Sequence, residues 1–62
     1  MKKRIELYRS NGEWRFRFVA GNGEIVAQSE GYENRADALH AAELVRAGFA
    51  DAPIQDERGF FA

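Results

Sequence analysis

Apolar and polar residues alternate with a period of two over the first part of the chain. From Arg4 to Arg9, Ile5 and Leu7 interleave with Glu6 and Tyr8. From Trp14 to Ala20, Trp14, Phe16 and Phe18 point one way and Arg15, Arg17 and Val19 the other. This period sets successive side chains on opposite faces of a strand. Asn11-Gly12 and Asn22-Gly23 separate the runs. Asn-Gly between alternating segments marks a two-residue hairpin turn, because both central positions of a type I′ turn need positive φ. A third run, Glu24 to Ser29, completes an antiparallel meander.

The two turns make a joint prediction about register. A two-residue loop at Asn11-Gly12 sets Leu7 against Phe16, Ile5 against Phe18 and Glu6 against Arg17. A two-residue loop at Asn22-Gly23 sets Phe18 against Ala27, Phe16 against Ser29 and Arg17 against Gln28. Both registers gather Ile5, Leu7, Phe16, Phe18 and Ala27 on one face, whereas a one-residue slip would mix the faces.

The period then changes. Ala38, Leu39, Ala42, Val45 and, at the far end, Phe49 follow helical spacing and form one apolar stripe. A helix over Arg35 to Ala47 fits, with Asn34 as N-cap, Asp37 in the first turn and Gly48 as the left-handed residue that ends it. Its alanines allow a close approach to the aromatic sheet face. Asp51-Ala52-Pro53 closes this region, and Ile54 to Arg58 has the composition of a short edge strand. The fold class is therefore α+β: a three-stranded antiparallel meander followed by one helix packed on one face, with a short fourth strand allowed (β-β-β-α-β). Residues 1–51 form the module and residues 52–62 a C-terminal tail with an apolar end.

Length limits what such a chain can do. Sixty-two residues make one domain at most, and a chain of about 60 residues buries only about 60% of the surface its unfolded form exposes. Small domains make up the shortfall with disulfides, a metal or a partner subunit. There is no Cys and only one His, which excludes disulfides and leaves self-association as the supplement. Net charge is −1, so no global imbalance draws the chain to nucleic acid or to an acidic membrane. Met1-Lys2-Lys3-Arg4 is basic, but no apolar stretch of signal-peptide or membrane-span length follows. The expectation is a cytoplasmic protein.

Glu6-Leu7-Tyr8, Asn11-Gly12-Glu13-Trp14-Arg15-Phe16-Arg17, Asn22-Gly23-Glu24-Ile25-Val26-Ala27 and Ser29-Glu30-Gly31-Tyr32 together resemble the YegP-like proteins. These are short, uncharacterised modules found as one copy or as two in tandem. The resemblance runs from about Lys3 to Gly48. It implies a β-β-β-α order with a short further strand and carries no catalytic residue, and the tandem relatives imply that a single copy forms a homodimer. Residues 53–62 depart from the family's pattern.

Candidate sites follow from the pattern of faces. Glu6, Tyr8, Arg15, Arg17 and Gln28 share the polar face. Two arginines among aromatic rings can hold phosphate and stack on bases; the plainer reading is a solvated face with a Glu6–Arg17 cross-strand pair, or a self-association surface. Trp14 is in phase with Phe16 and Phe18, where it closes the edge of the core or anchors a partner. Tyr8, Trp14, Arg15, Arg17 and Gln28 are thus the candidate ligand or partner face. Val19, Val26, Phe60 and Phe61 are the candidate dimer contacts.

Enzyme signals are missing from the pattern. Ser29 is expected beside Phe16 with no base in view, His40 falls on the outward side of the helix, and Gly21-Asn22-Gly23 is a hairpin turn that opens no helix. No cofactor or metal is expected, and a domain of this size leaves little room for an enclosed pocket. The leading expectation is a non-catalytic homodimeric binding or structural module. The alternative is a nucleic-acid-binding module using Lys2, Lys3, Arg4, Arg15 and Arg17.

Overall fold

A computed structural model describes residues 2–56 and 58–60. The strands β1 (Arg4–Ser10), β2 (Glu13–Val19) and β3 (Ile25–Gln28) form an antiparallel sheet in that order, followed by the helix α1 (Arg35–Gly48). The α+β meander-and-helix arrangement read from the sequence is therefore the observed one. Beyond it, β4 (Gln55–Asp56) and β5 (Gly59–Phe60) pair only with each other. Gln55–Asp56, within the segment where a short fourth strand was allowed, is a strand that pairs with Gly59–Phe60 and, among the described residues, not with the three-stranded sheet.

The first hairpin has the expected geometry. Asn11 and Gly12 take φ 53 and 79, Ser10 pairs with Glu13, and the ladder runs on through Leu7↔Phe16, Glu6↔Arg17 and Ile5↔Phe18. The second hairpin differs. Its loop holds three residues, closed by hydrogen bonds from Ala20 N to Glu24 O and from Gly23 N to Ala20 O, both 2.8 Å. Asn22 does not adopt positive φ; its side-chain oxygen accepts from the Glu24 amide at 3.0 Å, an Asx turn that competes with the type I′ conformation. Gly23 takes the left-handed position instead, at φ 88.

The longer loop puts the pairing one residue out of step, giving Val19↔Ile25. Val26 is then passed over as a bulge, and Phe18↔Ala27 and Arg17↔Gln28 return to the expected register. A bulge adds local twist and breaks strict alternation. Val19, expected on the outer face as an exposed contact, is only 4% exposed. It belongs to the core.

That core is small. It consists of Phe16, Val19, Ala38 and Ala42, with Ile5, Leu7, Phe18, Leu39 and Val45 half-buried around them. Phe16 stacks on Phe18 (centroids 5.7 Å apart) and on Tyr32 (6.4 Å). The two buried alanines let α1 lie close on β2 and β1, and the helix has no contact with β3. Ala27, expected in the core, is consequently exposed, and Phe49 is 62% exposed at the end of the helical stripe.

The helix begins at the expected N-cap, with Asp37 in its first turn, and ends one residue later than expected. Asn34 has the extended N-cap backbone but makes no capping hydrogen bond; its amide nitrogen donates to Asp37 Oδ2 at 3.3 Å instead. Gly48 is the last helical residue rather than the left-handed one after it, and Phe49 caps the helix at φ −115. A methyl group at Gly48 would meet nothing within 4 Å. Gly48→Ala is therefore expected to stabilise the fold by about 0.5–1 kcal/mol through helix propensity. Urea unfolding checks this, since a left-handed Gly48 would give destabilisation.

Candidate functional site

Alternation along β1 and β2 sends Glu6, Tyr8, Arg15 and Arg17 to the sheet face opposite the helix. Glu6 holds the centre. Its carboxylate accepts from Arg17 Nε at 2.8 Å and from Arg4 Nε at 2.6 Å. The Arg17 guanidinium also lies over the Tyr8 ring, 4.4 Å from its centroid, and the Tyr8 hydroxyl donates to Gln28 Oε1 at 2.8 Å. One continuous network thus crosses β1, β2 and β3.

Arg15 is employed separately. It donates to Ser29 O at 3.2 Å and to Glu13 Oε1 at 3.1 Å. The Glu13 carboxylate fills the space above Gly31, where a Cβ would collide with it. The Ser29 hydroxyl accepts from Phe16 N at 2.9 Å and donates to Glu30 O at 2.8 Å, a structural use of both its hydrogen-bonding roles.

Trp14 does not join this group. It lies on the helix side, with the guanidinium of Arg9 at 5.5 Å and that of Arg35 at 5.9 Å from its ring. Its backbone pairs with Tyr32 in both directions, at 2.8 and 2.7 Å. The indole closes the end of the core, on the side that its phase with Phe16 and Phe18 gives it, while the other four candidate residues lie in front of the sheet. Tyr8, Arg17 and Gln28 form the network, Arg15 stands beside it, and Trp14 is behind the sheet.

Of the candidate dimer contacts, Val26 is 61% exposed, Val19 is buried, and Phe60 lies on β5. Phe61 is outside the described residues. Among those residues, no group of three or more His, Asp and Glu side chains comes together as a metal site would require, and His40 is exposed on the helix surface. An open groove of about 620 Å³ lies between the sheet and the end of α1, a cavity that sequence reasoning missed. Its signal was the mismatch between a three-stranded sheet and a single helix.

A family model described as "Domain of unknown function (DUF1508)" matches residues 10–56. A UPF0339 protein of Agrobacterium fabrum is 44% identical over 54 residues, covering 86% of this chain and 87% of its own. The chain belongs to this family. It is the YegP-like family that the strand motifs resemble. A UPF0339 protein of Neisseria meningitidis serogroup B is 38% identical over 53 residues, with 84% and 95% of the two chains covered. A UPF0339 protein in the ptx operon 5′ region of Stutzerimonas stutzeri is 36% identical over 52 residues; these are 82% of this chain but 47% of that protein. No solved structure gives a significant match.

Arg17 first, then Arg4, holds the Glu6 carboxyl below its ordinary carboxylate range. A lowered folded-state value contributes stability that is present above the unfolded value and lost as pH falls through the folded one. The stability difference between the native chain and Glu6→Gln is thus expected to be constant from about pH 7 to about pH 5 and to close below the ordinary carboxylate range. Urea midpoints measured across that range check it; a difference that persists at low pH would contradict the ion-pair account.

Proposed function

We propose that this YegP-like chain is a non-catalytic binding or structural module that works as a homodimer, with the second copy meeting it on the β3 side. The observation that carries this reading is the state of β3. All four of its residues are exposed, Ile25 by 48% and Val26 by 61%. Its outer edge has no partner among the described residues, and no charged side chain guards it, whereas β1 carries Arg4, Glu6 and Arg9 on the opposite edge. An apolar, unguarded edge strand is a template for pairing with another chain. The Stutzerimonas stutzeri relative, about twice as long as the segment it shares with this chain, fits a family in which two modules work together.

The chemistry of the polar face supports binding over catalysis. The described nucleophiles and arginines there are already engaged: Ser29 by Phe16 and Glu30, Tyr8 by Gln28, Arg4 and Arg17 by Glu6, Arg15 by Glu13. The engagement of Arg4, Arg15 and Arg17 also weighs against the nucleic-acid alternative, which keeps only Lys2 and Lys3 of its five cations unpaired among the described residues and whose affinity would fall steeply with salt.

Light scattering over a concentration series tests the reading. The expected mass is twice that of the 7.0 kDa chain, and Val26→Lys, at an exposed bulge position, is expected to return it to the monomer with an unchanged circular dichroism spectrum. A concentration-independent monomer would overturn the homodimer. Truncation before Gly59 assigns the tail: weaker association makes Phe60 and Phe61 interface anchors, and an unchanged dimer removes them from the interface.

A further inference from the structure

The groove between the sheet and the second half of α1 has the size and lining of a small-molecule site. Its volume of about 620 Å³ falls within the usual range for ligand pockets, which combine apolar walls with a few placed polar groups. Ile5, Phe18, Val19, Val26 and Val45 supply the apolar surface. The charged residues that line it are Lys3, Arg4 and Arg46, with no Asp or Glu among them. In a chain of net charge −1, this one-sided lining is a local exception.

The cations are not equivalent. Glu6 holds the Arg4 guanidinium at 2.6 Å. The side chains of Lys3 and Arg46 have no hydrogen bond or ion pair among the described residues, and Glu43, which shares a smaller neighbouring hollow with Arg46, makes no salt bridge to it. Polarity is also graded across the groove. Lys3 adjoins β1, the strand at one edge of the sheet, and the apolar lining continues through Phe18 and Val19 on β2 to Val26 on β3. Two inter-strand spacings of about 4.8 Å make this a path of about 10 Å.

We propose that the groove binds a free amphipathic carboxylate, with an unbranched acyl chain lying across Phe18 towards Val26 and its head group between Lys3 and Arg46. The path runs across the strands. A peptide laid along it would leave its backbone N–H and C=O groups against apolar side chains without partners, whereas an acyl chain has no such groups. The cationic end favours a carboxylate over a neutral alcohol of the same length.

Titration of the full chain with decanoate, below its micelle concentration and followed by amide and methyl NMR, tests the proposal. Saturable shifts are expected at Ile5, Val19, Val26, Val45 and Arg46. Affinity is expected to rise about fourfold per added carbon from octanoate to decanoate, the equivalent of about 0.8 kcal/mol per buried methylene. Decanol should bind about tenfold more weakly, as should decanoate to Arg46→Gln, through loss of one charged hydrogen bond. Equal affinity for decanol and decanoate, shifts scattered away from the groove, or no saturation would each overturn the proposal. So would an acidic apolar peptide that binds there and is not displaced by decanoate. Molar mass measured on the same samples separates this outcome from that of the homodimer reading, since either can fail alone.

Discussion

Contact between one short helix and two of the three strands is the constraint on which the rest of this structure depends. The 14-residue helix reaches the sheet through the buried Ala38 and Ala42, whose small side chains let its backbone lie close on β2 and β1. Close packing at that point stabilises the fold, and it also fixes where the helix cannot go. With α1 centred on β1 and β2, nothing in the described chain covers β3, and a groove remains where the end of the helix lifts from the end of the sheet. Among the described residues the core that results is four buried side chains, few for a domain that must offset the ordering entropy of its chain.

The two faces of the sheet solve different problems. Behind the sheet, aromatic rings and alanines bury apolar surface, and Trp14 closes one end beneath the guanidinium groups of Arg9 and Arg35. In front, the Arg4–Glu6–Arg17–Tyr8–Gln28 network ties the three strands together from outside, where no helix can. Individually, half-exposed pairs of this kind contribute little; linked across the strands, they fix the relative position of β1, β2 and β3. The arginines that look available in the sequence are occupied by this work. Two cations without a hydrogen bond or ion pair among the described residues, Lys3 and Arg46, lie instead at the apolar groove.

The sequence was legible where two local signals agreed. For β1 and β2, Asn11-Gly12 and the alternation of Ile5 and Leu7 with Phe16 and Phe18 specify the same register, and that register forms. Around Gly21-Asn22-Gly23 the signals conflict, because the triplet serves either a two-residue or a three-residue loop. The Asn22 side chain decides for the longer loop, and the bulge at Val26 then recovers the pairing further along. Val19, opposite that bulge, is buried although alternation along β2 groups it with Arg15 and Arg17. Trp14 was readable from its phase with Phe16, but its two arginine neighbours come from β1 and α1 and needed the tertiary fold. Family membership was legible in the strand motifs.

The central claim is that the open β3 edge is covered by a second copy. Hydrogen exchange at the Gln28 amide measures this most directly. Ser29 donates inward to Phe16 O at 2.8 Å, so alternation sends the Gln28 amide to the outer edge. If a second copy pairs with that edge, protection of Gln28 rises with protein concentration towards that of Ser29. If Gln28 exchanges freely at every concentration while Ser29 stays protected, the edge is open to water and the claim is contradicted.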